Sequence, residues 1–527
     1  TTGQYNTLIG AQAGDAITTG GSNVAVGYFA LSTEDGHGLN VAVGNRALAN
    51  QNAGANAYNV AVGTDAGYAI TTGIQNTLIG GLAGDAITDA DYNIAVGYNA
   101  LTDNVLGSTS TAVGTFALQK QNPATAVNMY NSAFGYNAGN KITTGIHNTL
   151  MGGLSGDALT EGGNNLALGY NSLSADTLGS RSTAVGRNTL NAQNFTTATT
   201  SHNVAVGYNA GNAITTGIQN TLLGGLAGDA LTDADLNVAM GYLALSADTL
   251  GSQSTAIGYK TLENQNFTTA TDSYNTAVGG GAGRQVTTGK ENTLIGGLAG
   301  DALTTGSNNV AVGFEALSTE DAHGNNVAIG NRALKTLNAG AAGENVAVGD
   351  DAGLSITTGI RNTLIGGVAG DALTDADFNT AVGQQAISTD TLGSHSTGIG
   401  YGALGTQNFT TATDTYNTAV GSLAGTAVTT GQSNTLIGGL CGDSMTTGSN
   451  NVGVGVHAIG GATVTGDDNT AVGMAAMISL SSGSNNTAIG HDAGRSGSPG
   501  GNTTSGSNRF SLGDENVATL NCQVVLT

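Results

Sequence analysis

The sequence of 527 residues predicts an all-β fold, a parallel β-roll or β-helix solenoid with coils of about 17 residues. The first observation is a phrase of the type Asn-Thr/Val-Ala/Leu-Val/Ile-Gly. Variants of it end at 29 glycines from Gly10 to Gly513, and the commonest spacing is that of Gly10, Gly27 and Gly44. The second is a composition with 86 glycines, 9% charged residues and no tryptophan. A short fixed period indicates one structural unit stacked many times rather than a globular core.

A second, longer period lies above the first. The variant with Leu at the third position and two following glycines, at residues 76–81, returns with its first glycine at positions 152, 224, 296, 366 and 438. Each superrepeat therefore has four coils in about 70–72 residues, and one linker in each is extended. The regularity weakens after Gly455. We predict a repeat β-roll shaft over residues 1–490 and a C-terminal cap or junction segment over residues 491–527.

Each phrase is typical of a short strand, because its second residue is usually Thr or Val and its fourth is always apolar. We expect a second short strand around the Ala-Ile-Thr-Thr of each coil, with Gly or Asn turns between the two. The glycine at position five suits a tight corner, since glycine tolerates positive φ and close backbone approach. The leading asparagine predicts a stacked ladder of side-chain amides; a ligand-binding amide array is the alternative. Serine replaces it at Ser110, Ser182, Ser254 and Ser396.

The charge and the cysteines exclude several classes of protein. A net charge of −23, from 36 acidic and 13 basic residues, argues against nucleic acid or an anionic membrane as a partner. The sequence contains no run of 18 apolar residues, so it predicts no membrane insertion. Cys441 and Cys522 are too few and too far apart for a disulfide framework. The chain opens in mid-repeat, since residues 1–3 resemble residues 71–73, so we expect a segment before Thr1.

The sequence predicts no enzyme and no cofactor. Matches to Gly-x-x-x-x-Gly are by-products of the repeat, and no Gly-Lys-Ser/Thr follows one. The histidines are scattered, follow no strict period and are not expected to meet other ligands at metal-binding spacing. They are His37, His147, His202, His323, His395, His457 and His491.

An acidic phrase, Asp-Ala-Ile/Leu-Thr-Asp-Ala-Asp, recurs three times. Three carboxylates in one unit could bind calcium between coils, because calcium takes oxygen ligands. The spacing matches neither an EF-hand loop nor the Gly-Gly-x-Gly-x-Asp roll motif, so solvated turn residues are the other interpretation. The candidate metal ligands are Asp85, Asp89, Asp91, Asp229, Asp233, Asp235, Asp371, Asp375 and Asp377.

The extended linkers are the candidate receptor contacts. Three of them carry Asn-Phe-Thr-Thr-Ala-Thr, and insertions in repeat proteins map to loops that often bind partners. Aromatic, Thr-rich loops could stack on sugars. The other interpretation is that they clamp neighbouring protomers at every fourth coil. The candidate residues are Phe195, Phe267 and Phe409, with Tyr274 and Tyr416 downstream.

A single coil of so short a period encloses little, so its apolar residues favour oligomerisation, and we predict a homotrimeric fibre. The phrases at residues 59–63, 275–279 and 486–490 resemble the head repeats of trimeric autotransporter adhesins, and are still more similar to repeat arrays of bacteriophage tail fibres. The resemblance covers nearly the whole chain. It implies a trimer of parallel β-rolls.

The C-terminal segment favours the phage version of this resemblance. Residues 508–517 and 520–527 are similar to the junction before a self-cleaving intramolecular chaperone, so the chain ends about where a mature fibre would. The resemblance implies a tail-fibre shaft in the extracellular virion. Its expected partners are itself, other tail or baseplate proteins, and a host surface glycan or protein. Alternatives are a bacterial surface adhesin of the trimeric autotransporter type, a polysaccharide-degrading tailspike and an ice-binding solenoid.

Overall fold

The computed structural model of the protein describes residues 2–461, 463–498 and 501–519, and these residues form β-strands and turns without a helix. The chain divides into two compact units, Thr1–Ser273 (unit 1) and Tyr274–Thr527 (unit 2). Within the described residues, no segment is a helix long and apolar enough to cross a membrane. The prediction of an all-β parallel solenoid is confirmed within each unit, with coils of about 17 residues.

Unit 1 contains two kinds of strand, a three-residue strand at each phrase and a few two-residue strands near the extended linkers. They are β1 (Thr7–Ile9), β2 (Val24–Val26), β3 (Val41–Val43), β4 (Val60–Val62), β5 (Thr77–Ile79), β6 (Ile94–Val96), β7 (Gly107–Ser108), β8 (Thr111–Val113), β9 (Val127–Asn128), β10 (Ser132–Phe134), β11 (Thr149–Met151), β12 (Leu166–Leu168), β13 (Gly179–Ser180), β14 (Thr183–Val185), β15 (Thr199–Thr200), β16 (Val204–Val206), β17 (Thr221–Leu223), β18 (Val238–Met240), β19 (Gly251–Ser252), β20 (Thr255–Ile257) and β21 (Thr271–Asp272).

Unit 2 repeats the same plan. Its strands are β22 (Thr276–Val278), β23 (Thr293–Ile295), β24 (Val310–Val312), β25 (Val327–Ile329), β26 (Val346–Val348), β27 (Thr363–Ile365), β28 (Thr380–Val382), β29 (Gly393–Ser394), β30 (Thr397–Ile399), β31 (Thr413–Asp414), β32 (Thr418–Val420), β33 (Thr435–Ile437), β34 (Val452–Val454), β35 (Thr470–Val472), β36 (Thr487–Ile489) and β37 (Phe510–Leu512).

The phrase strands of each unit pair in parallel with the next phrase along the chain. The register places equivalent residues side by side, as in β17 and β18, where Leu222 lies beside Ala239. One coil of the solenoid therefore corresponds to one sequence period. The stack continues past residue 490, because β37 pairs with β36. The chain end at residues 520–527, which carries half of the chaperone-junction resemblance, lies outside the described residues.

The expected second strand at Ala-Ile-Thr-Thr is wrong. In the coil of Ile70 this stretch is a bend, because the amides of Thr71 and Gly73 both donate to the carbonyl oxygen of Thr88, at 3.0 and 3.1 Å. Two donors on one acceptor curve the chain instead of extending it. The second strands that do form in the described residues are two-residue pairs, for example β13 with β15 and β29 with β31.

The core of each coil is thin and is filled by alternating large and small residues. The middle residue of each phrase strand points inward and is buried, except Leu8 in the first coil. It is small in most coils and leucine once per superrepeat, as at Leu78. Gly67 makes room for this leucine, since a Cβ there would lie 2.8 Å from the Leu78 Cδ1 and 2.9 Å from the Leu48 Cδ2. The fold therefore depends on glycine opposite leucine between neighbouring coils.

The asparagine ladder predicted from the phrase is present. Where one asparagine follows another, the backbone amide of the later residue donates to the Oδ1 of the earlier one, as from Asn220 to Asn203 at 2.9 Å and from Asn237 to Asn220 at 3.0 Å. The Nδ2 of Asn220 also donates to the carbonyl oxygen of Ala234 at 2.8 Å. These asparagines are fully buried, so the ladder satisfies turn groups that water cannot reach.

Candidate binding surfaces

The outward face of the phrase strands carries an apolar row along each unit. Side chains alternate along a strand, so the second and fourth residues of each phrase point away from the core. The fourth residue is apolar in all copies and is buried in none, and we call this row the outer stripe. In unit 1 it comprises Ile9, Val26, Val43, Val62, Ile79, Val96, Val113, Phe134, Met151, Leu168, Val185, Val206, Leu223, Met240 and Ile257. In unit 2 it comprises Val278, Ile295, Val312, Ile329, Val348, Ile365, Val382, Ile399, Val420, Ile437, Val454, Val472, Ile489 and Leu512.

The outer stripe is also free of charge. Neither the second nor the fourth residue is charged in any phrase, although the chain has 36 acidic residues. Members such as Ile79 and Ile437 are 40% and 41% exposed. Soluble proteins seldom leave contiguous apolar surface of this kind open to water unless it contacts a partner. The outer stripe is therefore the strongest candidate interface of the chain.

A second exposed row runs along the corner that precedes each ladder asparagine. In unit 2, five successive members contact one another. Glu344 pairs with Arg361 at 2.8 Å, and the Arg361 guanidinium lies 5.5 Å from the centroid of the Phe378 ring. The Phe378 and His395 rings stack at 4.9 Å, and the His395 and Tyr416 rings at 5.2 Å. In this corner row the stacked rings cover part of one another's faces, and Phe378 and Tyr416 remain 42% and 58% exposed.

The five candidate receptor residues fall into two groups. Phe195, Phe267 and Phe409 are only 4%, 5% and 5% exposed, so in this structure their rings face the interior of the extended coil. Tyr274 and Tyr416 are 52% and 58% exposed and lie on the corner row. Of the predicted set, only the two tyrosines are exposed to solvent.

The buried phenylalanines belong to a polar network that replaces the asparagine ladder at the extended coils. The carboxylate of Asp176 accepts hydrogen bonds from the Phe195 amide at 3.3 Å and from the Gln193 Nε2 at 2.6 Å. Gln193 also donates to the Ser182 Oγ at 2.8 Å and accepts from the Asn203 Nδ2 at 2.9 Å. Burial is the main cause that raises the pKa of Asp176. Phe195 thus anchors the insertion in the core, while residues 196–198 are exposed.

The aspartates of the acidic phrases hydrogen-bond to the preceding coil. Asp89 accepts hydrogen bonds from the Thr72 and Thr71 hydroxyls at 2.6 and 2.9 Å, which lower its pKa. Asp91 accepts the backbone amide of Ile74 at 2.7 Å. Equivalent bonds link Asp233 to Thr216, Asp235 to Ile218, Asp375 to Thr358 and Asp377 to Ile360. These carboxylates therefore already have donors within the chain.

The first aspartate of each acidic phrase is in a different environment. The Oδ1 atoms of Asp85, Asp229 and Asp371 are buried without a hydrogen-bond partner. Burial is the main cause that raises the pKa of Asp85 to about 6, and it raises the pKa of Asp229 and Asp371 in the same direction. None of the nine aspartates belongs to a group of three metal-ligating side chains within the described residues.

We expect Asp85→Asn to stabilise unit 1 at pH 7 by about 1 kcal/mol, a figure reduced for partial exposure of the carboxylate. The pKa of Asp85 is raised in the folded state from 3.8 to about 6, so its contribution to stability is complete below about pH 4 and is lost as the pH rises through 6. Urea denaturation of the wild type and the variant at about pH 4, 5, 6 and 7 measures this pH dependence of the free energy of unfolding. Asp89→Asn is the control of opposite sign, because the pKa of Asp89 is lowered. Equal stability changes at every pH would contradict the assignment.

Cys441 is a core residue. It is fully buried, and burial raises the pKa of its thiol to about 12, so the reactive thiolate is suppressed. Cys522 lies outside the described residues.

Two clusters in the described residues bring histidine and carboxylates together, contrary to the expectation that the histidines meet no ligands. One is Glu34, Asp35 and His37, and the other is Glu320, Asp321 and His323. The signal in the sequence is Glu-Asp-x-His, which occurs twice in a chain with 9% charged residues.

No protein-family model matches this chain, and no curated protein matches it at a significant level.

Proposed function

We propose that the chain is the shaft of a bacteriophage tail fibre, a homotrimer that carries host recognition on itself or on a partner. The observation that carries the proposal is the outer stripe, an apolar row on an uncharged strand face that each unit leaves partly open to water. Two further copies of the chain carry the same outer stripe, and in the proposed trimer the three stripes pack against one another. Burying Val and Ile side chains against each other contributes roughly 25 cal/mol per Å² of apolar surface removed from water.

Three features support an adhesive structural role over an enzymatic one. The described coils repeat one plan, and a stack of equivalent units suits binding along its length better than a single reaction centre. The net charge of −23 keeps an elongated assembly soluble. The corner row leaves Phe378 and Tyr416 42% and 58% exposed, where a partner can contact these aromatic side chains. The proposed partners are a host surface glycan or protein and other tail or baseplate proteins.

We expect a native mass of three times the 51.7 kDa of one chain by light scattering, unchanged by a chelator. Ile79→Glu together with Val96→Glu places charges on the outer stripe and should reduce the mass to that of one chain, because each unpaired buried carboxylate costs several kcal/mol. Gln75→Glu is the matched control, since it adds a charge at an exposed corner in the same coil. A monomeric wild-type chain would contradict the trimeric fibre.

A bacterial surface adhesin of the trimeric autotransporter type is the alternative, and it shares the same trimer. The two proposals differ in location. Immunogold labelling of purified phage particles and of intact bacterial cells separates them, because a tail-fibre chain labels the virion and an adhesin labels the cell envelope. Labelling of the cell envelope alone would replace the phage proposal by the adhesin.

A further inference from the structure

The two Glu-Asp-x-His clusters occupy equivalent coils in the two units. The sequence Ser-Thr-Glu-Asp-x-His-Gly stands at residues 32–38 in unit 1 and at residues 318–324 in unit 2. In each, one histidine nitrogen and two carboxylate oxygens lie within 4.8 Å of one another. The same constellation thus forms twice, in separate parts of the chain and from local sequence.

The geometry within each cluster suits a small cation. The Nδ1 of His37 lies 3.7 Å from the Glu34 Oε1, and the Nδ1 of His323 lies 3.4 Å from the Glu320 Oε1. Two ligand atoms bound at about 2.1 Å to one tetrahedral ion stand about 3.4 Å apart. The histidine and glutamate atoms therefore need to move by at most a few tenths of an ångström to share a metal, and the aspartate oxygen lies within 4.8 Å of both.

The histidine Nδ1 makes no hydrogen bond in either cluster. Both Nδ1 atoms are buried and have no hydrogen-bond partner, a costly state for a polar atom. The neighbouring glutamate is fully buried in both clusters. Each glutamate accepts the backbone amide of its own histidine at 3.0 Å, which fixes the carboxylate beside the imidazole.

Other coils of the chain show that the turn itself does not require the histidine. At the same place, Asp176 and Asp248 accept the backbone amides of Gly179 and Gly251, each at 3.0 Å. Those coils close the turn with a buried acid and a glycine. Closing the turn therefore requires neither the histidine nor the second carboxylate, Asp35 or Asp321.

We propose that each cluster binds one divalent transition-metal cation of the zinc class, through the imidazole Nδ1 and the two carboxylates. Two carboxylates neutralise the charge of the ion, and the imidazole favours zinc over calcium, which prefers oxygen ligands. Three protein ligands leave one tetrahedral position for water or for a group of another molecule. The site is independent of the proposed tail-fibre function and of the trimer.

The test is zinc titration of the metal-free full-length chain by calorimetry, with metal content measured after gel filtration. We expect two zinc ions per chain for the wild type, one for His37→Ala and for His323→Ala, and none for the double variant. His147→Ala is the matched control and should keep two ions, because His147 stacks on Tyr130 away from these clusters. Calcium in tenfold excess should leave zinc binding unchanged.

A second variant separates binding from folding. Asp35→Asn removes a carboxylate charge at an exposed position, so it should fold and bind zinc at least tenfold more weakly in unit 1. Cobalt replacing zinc should give a visible absorption band that the double histidine variant lacks. Equal zinc content in the wild type and the double variant would overturn the proposal and leave each cluster as a His–Glu ion pair only.

Discussion

Gly224→Ala should destabilise unit 1 by about 3–5 kcal/mol. Gly224 closes a phrase with φ +143°, a conformation that L side chains rarely adopt. An added Cβ would lie 2.5 Å from the carbonyl oxygen of Gly241 and 2.7 Å from its carbonyl carbon. Both neighbours are backbone atoms of the next coil, so no rotamer change relieves the clash, and the coils must separate.

Gly225→Ala is the matched control for this prediction. A Cβ at Gly225 would lie 3.6 Å from the Tyr242 ring and 4.0 Å from the carbonyl oxygen of Tyr208, which are ordinary contacts. We expect it to change the free energy of unfolding by less than about 0.5 kcal/mol. Urea denaturation measures the difference, and hydrogen exchange should place the loosened amides of Gly224→Ala in the adjoining coils. If the two variants had equal effects, the close contact between coils at Gly224 would not be the reason that this position requires glycine.

The stacking was predictable because the period encodes it directly. A phrase with apolar residues at fixed positions places Leu222 beside Ala239 in register, and an asparagine at the head of each phrase stacks on the next one. The outer stripe follows from the same alternation, since the fourth residue is apolar in every phrase. Repetition lets a single correct assignment apply to many coils.

The corners were not predictable from residue types. The residue before each ladder asparagine has positive φ whatever its side chain, for example 60° at His147 and 53° at Tyr416. Leu31 and Leu48 also have positive φ, at 51° and 50°. Such conformations are unfavourable for these residues, so they are held by bonds to adjoining coils, such as the His147 amide to the Met129 carbonyl oxygen at 2.9 Å. Local conformational propensities do not reflect those bonds, because the partners belong to other coils.

The candidate sites were less predictable than the fold. Phe195 stood out as a rare aromatic residue in an insertion, but its burial depends on the space that the widened coil opens beside Asp176. Conversely, the cluster of Glu34 and His37 is local in sequence and repeated, so its pattern was available before the structure. What the sequence lacked was the burial of the glutamate, which distinguishes a held ligand from a solvated charge.

The asparagine ladder should be the other major source of stability, and Asn451→Ala tests it. The Asn451 Oδ1 accepts the amide of Asn469 at 2.9 Å, and its Nδ2 donates to the Gly466 carbonyl oxygen at 3.0 Å. Alanine at this fully buried position leaves the Asn469 amide and the Gly466 carbonyl oxygen without these hydrogen bonds. Each buried group left unpaired costs about 1–3 kcal/mol, so we expect unit 2 to lose about 2–5 kcal/mol in urea denaturation.

The neighbouring Asn450 provides the control, because it is exposed and has φ 59°. Asn450→Gly keeps a residue that tolerates this conformation and should change stability by less than about 1 kcal/mol. If Asn450→Gly and Asn451→Ala were equally destabilising, the ladder bonds would not be the cause.

Asn451→Ser then asks whether serine alone can replace the ladder amide. Serine heads the phrase at Ser182, where Gln193, 11 residues later, donates to its hydroxyl and accepts the Asn203 Nδ2. The residue 11 positions after Asn451 is alanine, so no glutamine can bridge the gap. We therefore expect Asn451→Ser to be nearly as destabilising as Asn451→Ala. A serine variant as stable as the wild type would mean that the glutamine is dispensable, whereas the expected loss would show that serine and glutamine replace asparagine only as a pair.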